Sequence, residues 1–317
     1  MNVWLKFFID SLAFGATFIY GSTGEILTEK SGHLNLGIPG VMCMGGAGGC
    51  LMLNLVGKSS LPPFLIVTIG ILGAFVFGAF MGLIYNFLTV TLRANQNVTG
   101  LALTTLGVGL MKVIMATLEV SKYLNKPKKY FRFPFEHRTD SLQYLGVMFF
   151  LAVIIAIVAS YVLSSTRVGL NLRAVGENPA TADAAGINVT RYKYMATCIG
   201  SGIAGLGGLY YIIDYMGSRE AYLSVEGLGW LSIALVIFVL WRPYLTIIGS
   251  TLFGVLFSCS SYIAQIDGIT ITVSTKYLIQ MLPYLVTIVV LVITSLRKKR
   301  EFQPPASLGL SYFREDR

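Results

Sequence analysis

The sequence predicts an all-α polytopic membrane protein with about nine (8–10) transmembrane helices, on three observations. Of its 317 residues, 55% are hydrophobic and only 12% charged, about half the charged share of a soluble domain. A water-soluble fold of this length would lack the charges to cover its surface. The apolar residues also fall in runs of about 20, the length that crosses a bilayer core. Finally, the 34 glycines match the higher glycine content of membrane helices. The same figures exclude an ordinary soluble enzyme, a disordered chain and a secreted disulfide scaffold.

Spans are expected at about 7–24, 36–56, 64–91, 98–118, 142–163, 194–215, 226–241, 244–264 and 276–296. The first follows Lys6 and carries Asp10. No small-x-small cleavage site leads into a polar mature domain, so it reads as a retained helix. Those at 36–56, 194–215 and 226–241 are discontinuous in character, being Gly-rich or short. The fourth holds Lys112 close enough to an edge for its stem to snorkel, with Glu119 on the same face. The ninth runs into Arg297-Lys298-Lys299-Arg300. The chain is therefore expected to divide into a membrane domain over about 1–296, with a polar loop at about 165–193, and a basic tail over about 297–317.

Basic flanks orient the spans. Counting helices puts the C-terminal basic run on the same side as the loop carrying Arg167, Arg173, Arg191 and Lys193. Glu25–His33 and Arg93–Asn97 fall there too. The positive-inside rule makes that side cytoplasmic and the N-terminus external. One loop runs against the rule: Lys122, Lys126, Lys128, Lys129, Arg132 and Arg138 fall outside by parity.

The net charge of +9 reflects these membrane flanks. No basic stripe is interleaved with exposed aromatics, so no nucleic-acid partner is expected. Cys43, Cys50, Cys198 and Cys259 form no CxxC pair, and His33 and His137 stand alone. No metal site and no disulfide framework is expected.

Two stretches depart from plain spans. In Gly24-Glu25-Ile26-Leu27-Thr28-Glu29-Lys30-Ser31-Gly32-His33-Leu34-Asn35-Leu36-Gly37, polar side chains concentrate between two apolar runs, and Pro39 follows, leaving a carbonyl short of its partner. Irregular backbone at membrane depth is tolerated only inside protein or beside water. Either Asn35 and its neighbours line a polar passage, or this is a short loop entering a Gly-packed helix. In Arg173-Ala174-Val175-Gly176-Glu177-Asn178-Pro179-Ala180-Thr181-Ala182-Asp183-Ala184-Ala185-Gly186, Asn178 caps a helix, Pro179 opens its first turn and Gly186 stops it. A helix of about two turns is unstable alone in water. It must dock, on another chain or beneath its own bundle. Gly32 through Gly49 and Gly217 through Gly229 are both punctuated by Gly and Pro or Gly alone, a loose correspondence of the kind transporter halves show.

Taken together, these motifs resemble the permease subunits of ABC importers in the branched-chain amino-acid/simple-sugar permease superfamily. The nucleoside-type permeases that work with a basic-membrane-protein-type lipoprotein are the most similar. Glu25 with Gly32-His33-Leu34-Asn35-Leu36-Gly37, Asn95 through Leu103, Arg173 through Gly186, Met281-Leu282-Pro283-Tyr284-Leu285 and Pro304-Pro305-Ala306-Ser307-Leu308-Gly309 follow the family's order. Thr181, Asn97 and Thr104-Thr105 depart from the family pattern.

The resemblance implies a multi-pass plasma-membrane protein with a cytoplasmic tail. Its partners would be a second permease, a cytoplasmic ATPase, an extracellular substrate-binding lipoprotein and the bilayer. Loop 165–193 would be the coupling helix, with Arg173, Glu177, Asn178, Asp183 and Gly186 facing the ATPase. The substrate path would draw uncharged hydrogen-bonding groups from Asn35, Asn95, Gln96, Asn97 and Thr99, backbone at Gly37, an aromatic face from Trp230 or Tyr284, and a gating carboxyl from Glu25. No catalytic residue and no resident cofactor are expected. The chain has no Gly-x-x-x-x-Gly-Lys-Ser/Thr loop, so ATP and magnesium would belong to the ATPase. Competing classes are a permease for simple sugars, an ion-coupled secondary transporter and a membrane-embedded enzyme.

Overall fold

A computed structural model describes residues 3–57, 59–132, 145–263, 272–297 and 303–313. Among them every regular element is helical. The order is α1 (Val3–Glu29), α2 (Ile38–Val56), α3 (Pro63–Asn86), α4 (Gln96–Thr117), α5 (Lys126–Phe131), α6 (Val147–Ser165), α7 (Arg167–Glu177), α8 (Pro179–Ala184), α9 (Val189–Leu209), α10 (Val225–Phe238), α11 (Pro243–Ile263), α12 (Val273–Gln280) and α13 (Leu282–Arg297). Wider π-type turns prolong α3 over Phe87–Thr91 and α9 over Tyr210–Met216, and a tight helical turn, Arg219–Ser224, leads into α10.

Seven helices among the described residues are long and apolar enough to cross a membrane; Pro243–Cys259 and Tyr277–Val289 are shorter apolar helices. The expected spans at about 244–264 and 276–296 coincide with these. The last is broken at Met281, where α12 gives way to α13, because Pro283 cannot donate into a continuous ladder.

The core is built on α1, α2, α3 and α9. Side chains at their crossings are small, so backbones meet. A Cβ on Gly24 would strike the carbonyl of Gly200 and lie 2.9 Å from the Ala204 nitrogen; one on Gly45 would strike the Cα of Gly205. Without a hydrophobic drive between helices in lipid, such close approach supplies the packing energy. Outward faces of α3, α4 and α6 carry exposed Leu72, Val76, Phe80, Val113, Ile154 and Val158, as a lipid-facing surface requires. Lys112 is exposed on α4, and Glu119 pairs instead with Lys122.

The two Gly-punctuated stretches meet at the first turn of α2. Gly229 abuts the Cα of Pro39, and Ser232 Oγ reaches Met42 Sδ at 3.8 Å.

One end of the bundle, the near end, gathers residues 29–36, the corner before α4, α7 and α8, Trp241 and residues 307–313. Ser307 N–H donates to the Gly176 carbonyl (3.1 Å) and Gly309 N–H to that of Gly32 (3.2 Å). Gln96 Nε2 donates to the Leu310 carbonyl (3.3 Å) and Tyr312 OH to Asp183 (3.0 Å). The segments that helix counting assigned to one side thus share an end. The basic run that disobeyed the rule lies at the far end. There Lys128 Nζ donates to the Gly217 carbonyl (3.0 Å), and Arg132 donates to those of Asp214 and Tyr215 (both 3.1 Å). These cations cap carbonyls freed where the α9 extension ends, a use unrelated to topology. Arg138, His137 and Lys298–Arg300 lie outside the described residues.

Candidate functional site

After Glu29 the chain leaves the helix through Gly32, whose φ of +86° is a left-handed conformation that favours glycine. His33 to Asn35 then belong to no regular element, yet His33 and Asn35 are almost fully buried. Buried backbone without helix or sheet needs partners, and side chains of three helices supply them. Leu34 N–H donates to Gln96 Oε1 (2.8 Å), and Tyr85 OH donates to the Leu34 carbonyl (2.7 Å). Asn35 N–H donates to Glu25 Oε1 (3.2 Å), and Thr104 Oγ1 donates to the Leu36 carbonyl (2.9 Å). Asn35 Oδ1 accepts from Gly37 N–H (2.9 Å), a local turn that aims the chain into α2. His33 Nδ1 lies 3.2 Å from Thr197 Oγ1.

Glu25 and Glu29, one helical turn apart, set two buried carboxyls on one face of α1. The indole N–H of Trp241 donates to Glu29 Oε2. Asn35 Nδ2 is buried with no hydrogen-bond partner among the described residues. The cluster therefore offers an amide donor beside two carboxyls, inside a wall of uncharged groups.

The structure brings Glu25, Asn35, Gly37 and Gln96 together. Thr99 is buried one turn beyond Gln96, next to Gly100, where a Cβ would lie 2.8 Å from the Leu36 nitrogen. Asn95, Asn97 and Trp230 stand apart from this cluster. Asn95 is the N-cap of α4, accepting from Asn97 and Val98 N–H at 3.0 and 3.1 Å. Asn97 is exposed, and Trp230 is 36% exposed on α10. The buried aromatic is Trp241, in a left-handed backbone at φ 55° beside Leu240 at 56°. Nothing local in the sequence marks Trp241, because its acid partner is 212 residues away. Asp214, fully buried near the far end of α9, was also unmarked.

The second candidate surface is α7–α8. Asn178 Oδ1 caps α8 by accepting Thr181 N–H at 3.0 Å, and Gly186 ends it at φ +82°. Ala182 is buried against Val175 and Val189, while Ala180, Thr181, Ala184 and Ala185 are exposed. The result is a short wedge with one face docked on its own chain and a small-residue face outward. Arg173, Glu177 and Asn178 are exposed, and Gly186 ends the wedge in the open. Asp183 is held by Tyr312. The ordered α7 preceding the wedge was not foreseen. Lys30 lies under it; burial lowers its pKa, and the nearby Glu177 carboxylate opposes that shift.

Comparison with known proteins gives four findings. Residues 7–293 match the family described as branched-chain amino acid transport system / permease component. The nucleoside ABC transporter permease NupC of Lactococcus lactis subsp. cremoris is 33% identical over 297 residues, spanning 89% of this chain and 90% of its own. The guanosine ABC transporter permease NupQ of Bacillus subtilis is 28% identical over 295 residues (89% of each chain). A protein provisionally named as the glucose ABC transporter permease TsgC13, from Haloferax volcanii, is 29% identical over 315 residues (92% of each chain).

Proposed function

The chain belongs to the branched-chain amino acid transport system / permease component family, and from that premise we propose that it is the membrane permease subunit of an ATP-driven importer of nucleosides. The near-full-length similarity to NupC carries this reading. The geometry supports it at two places: the hydrogen-bonding groups gathered around Asn35 fit a hydroxyl-rich solute, and the capped wedge at α8 fits a groove on a motor subunit.

In this reading the protein spans the plasma membrane nine times, Pro243–Cys259 and Tyr277–Val289 being the two short spans. The near end is cytoplasmic. A second permease completes the passage, a cytoplasmic ATPase holds ATP and magnesium, and an external lipoprotein captures substrate. Glu25, Asn35, Gly37, Gln96 and Thr99 line the inner part of the path, with Asn95, Asn97 and Trp230 at its margins. Arg173, Glu177, Asn178, Asp183 and Gly186 form the coupling face. ATP drives the change of access only through its different affinity for the two states, so the passage itself needs no tight site.

The test is reconstitution with the ATPase, the second permease and the lipoprotein in vesicles. Radiolabelled nucleoside should accumulate with ATP, stop on ATP depletion and persist with an uncoupler. Uptake that stops with the uncoupler alone would replace this reading with ion-coupled transport. The second reading, a simple-sugar importer, is favoured by the TsgC13 similarity; the same vesicles offered glucose and a nucleoside separate the two.

A further inference from the structure

A cavity of about 620 Å³ opens at the near end and borders the Glu25–Asn35 cluster at His33 and Gln96. It lies between the corner before α4, the α8–α9 junction and the strap of residues 311–312. Its volume is that of a small-molecule site. Its cationic groups are Arg93, Arg191 and Lys193, against the single carboxylate of Asp183, which already accepts from Tyr312.

Lys193 is the telling residue. It is 3% exposed, it lines the cavity, and among the described residues it has neither an ion-pair nor a hydrogen-bond partner. A buried ammonium is costly unless an anion meets it. A second feature points the same way. The first turn of α9, a helix of 21 residues, faces the same space through Val189, Thr190 and Arg191, and a helix N-terminus attracts anions. Arg93, third of the cations, is held at φ +60°. That is a strained backbone for a long side chain, and its guanidinium lies 4.9 Å from the Phe313 ring. Tyr194 and Tyr312 add hydroxyls and ring edges to the lining.

We propose that this cavity is a binding site for a phosphoryl-bearing anion, with Lys193 and Arg191 on the phosphoryl group and Arg93 at the rim. Three cations and a helix N-terminus match a phosphoryl group's multiple acceptor oxygens. The remaining volume, walled by tyrosines, takes whatever the phosphoryl group is attached to. That can be a soluble metabolite or the headgroup of an acidic phospholipid, since the cavity opens beside the membrane-spanning helices.

The full chain in phosphatidylcholine nanodiscs is titrated with radiolabelled adenosine 5′-monophosphate, with inorganic phosphate and adenosine as competitors. A parallel arm compares phospholipid retained by the chain in native mass spectra after exposure to phosphatidylglycerol. Saturable monophosphate binding is expected, displaced by phosphate but not by adenosine, and weakened at least tenfold in Lys193→Gln and Arg191→Gln. Phosphatidylglycerol retained by the wild type and lost in both variants also supports the site and identifies the lipid as its source. Lys193→Arg should keep binding, and Lys128→Gln, at the far end, should not alter it. Arg191 is exposed, so its variant folds even where Lys193→Gln does not. The proposal is overturned if neither anion binds, if adenosine displaces the monophosphate, or if both Gln variants bind as the wild type does. It is also overturned if the variants only lose association with the ATPase, which would make the cavity a socket for a partner's acidic side chain.

Discussion

Replacing Asn178 by alanine removes one hydrogen bond, from Thr181 N–H at 3.0 Å, and leaves the rest of α8 intact. Thr181 is an exposed residue, so water takes up the freed N–H and the cost is that of a lost cap, about 1 kcal/mol. A two-turn helix docked through Ala182 and the Tyr312–Asp183 bond opens locally, well before the bundle unfolds. A loss of about 1 kcal/mol multiplies the open population about fivefold. The amides of Ala182, Ala185, Gly186 and Ile187, which bond within the wedge, should therefore exchange with deuterium about fivefold faster in the full-length chain. Asn178→Asp keeps a capping oxygen and should exchange at close to the wild-type rate. In the reconstituted importer, uptake per ATP hydrolysed should fall in Asn178→Ala and recover in Asn178→Asp. Exchange that is equal in Asn178→Ala and wild type would refute the cap as the element's support. So would acceleration that spreads equally into α6.

Gly24→Val forces a branched side chain against the Gly200 carbonyl and Ala204 and should cost at least about 1–3 kcal/mol; Gly109→Ala, where a Cβ meets nothing within 4 Å, should be neutral or stabilising by about 0.4–1 kcal/mol. Detergent melting curves that rank the two the other way would contradict the packing described. Glu25→Ala strands the buried Asn35 N–H and should destabilise by about 1–3 kcal/mol, whereas Glu25→Gln retains an acceptor and should melt near the wild type; equal losses in the two would assign the effect to charge. Burial, and secondarily the charge of Lys193, hold His33 well below its ordinary 6.5. The unfolded chain then takes up a proton that the folded chain refuses, so stability is full above about pH 6.5 and declines below it by up to about 1.4 kcal/mol per pH unit. His33→Gln should flatten that acid slope, and parallel slopes in the two proteins would count against a buried neutral imidazole.

The helical membrane class was legible because it follows from local composition. The expected 64–91 span nearly coincides with α3 and its extension, Pro63–Thr91, and the expected 98–118 span overlaps α4. The wedge was legible for the same reason: Asn178, Pro179 and Gly186 act on backbone within a few residues of themselves. Polar α7 was missed, since it carries no long apolar run and is stabilised by packing on neighbours distant in sequence. The pairing of Trp241 with Glu29, and of Tyr312 with Asp183, depends on which helices cross, and no local pattern encodes that. Trp230 is expected to offer an aromatic face to the path, but the crossing at Pro39 is made by Gly229, leaving the indole outward.

Ser307, Gly309, Leu310 and Tyr312 are all synthesised after the groups they bind, on the Gly32 corner, α4, α7 and α8. None of these bonds can form until the final hydrophobic segment has left the ribosome. The wedge at α8 is consequently tied down late, which orders biogenesis: membrane insertion comes first, and the fixed α8 surface follows. A nascent or prematurely terminated polypeptide lacking Ser307 onward would present that surface untethered, a difference that quality-control proteases could read.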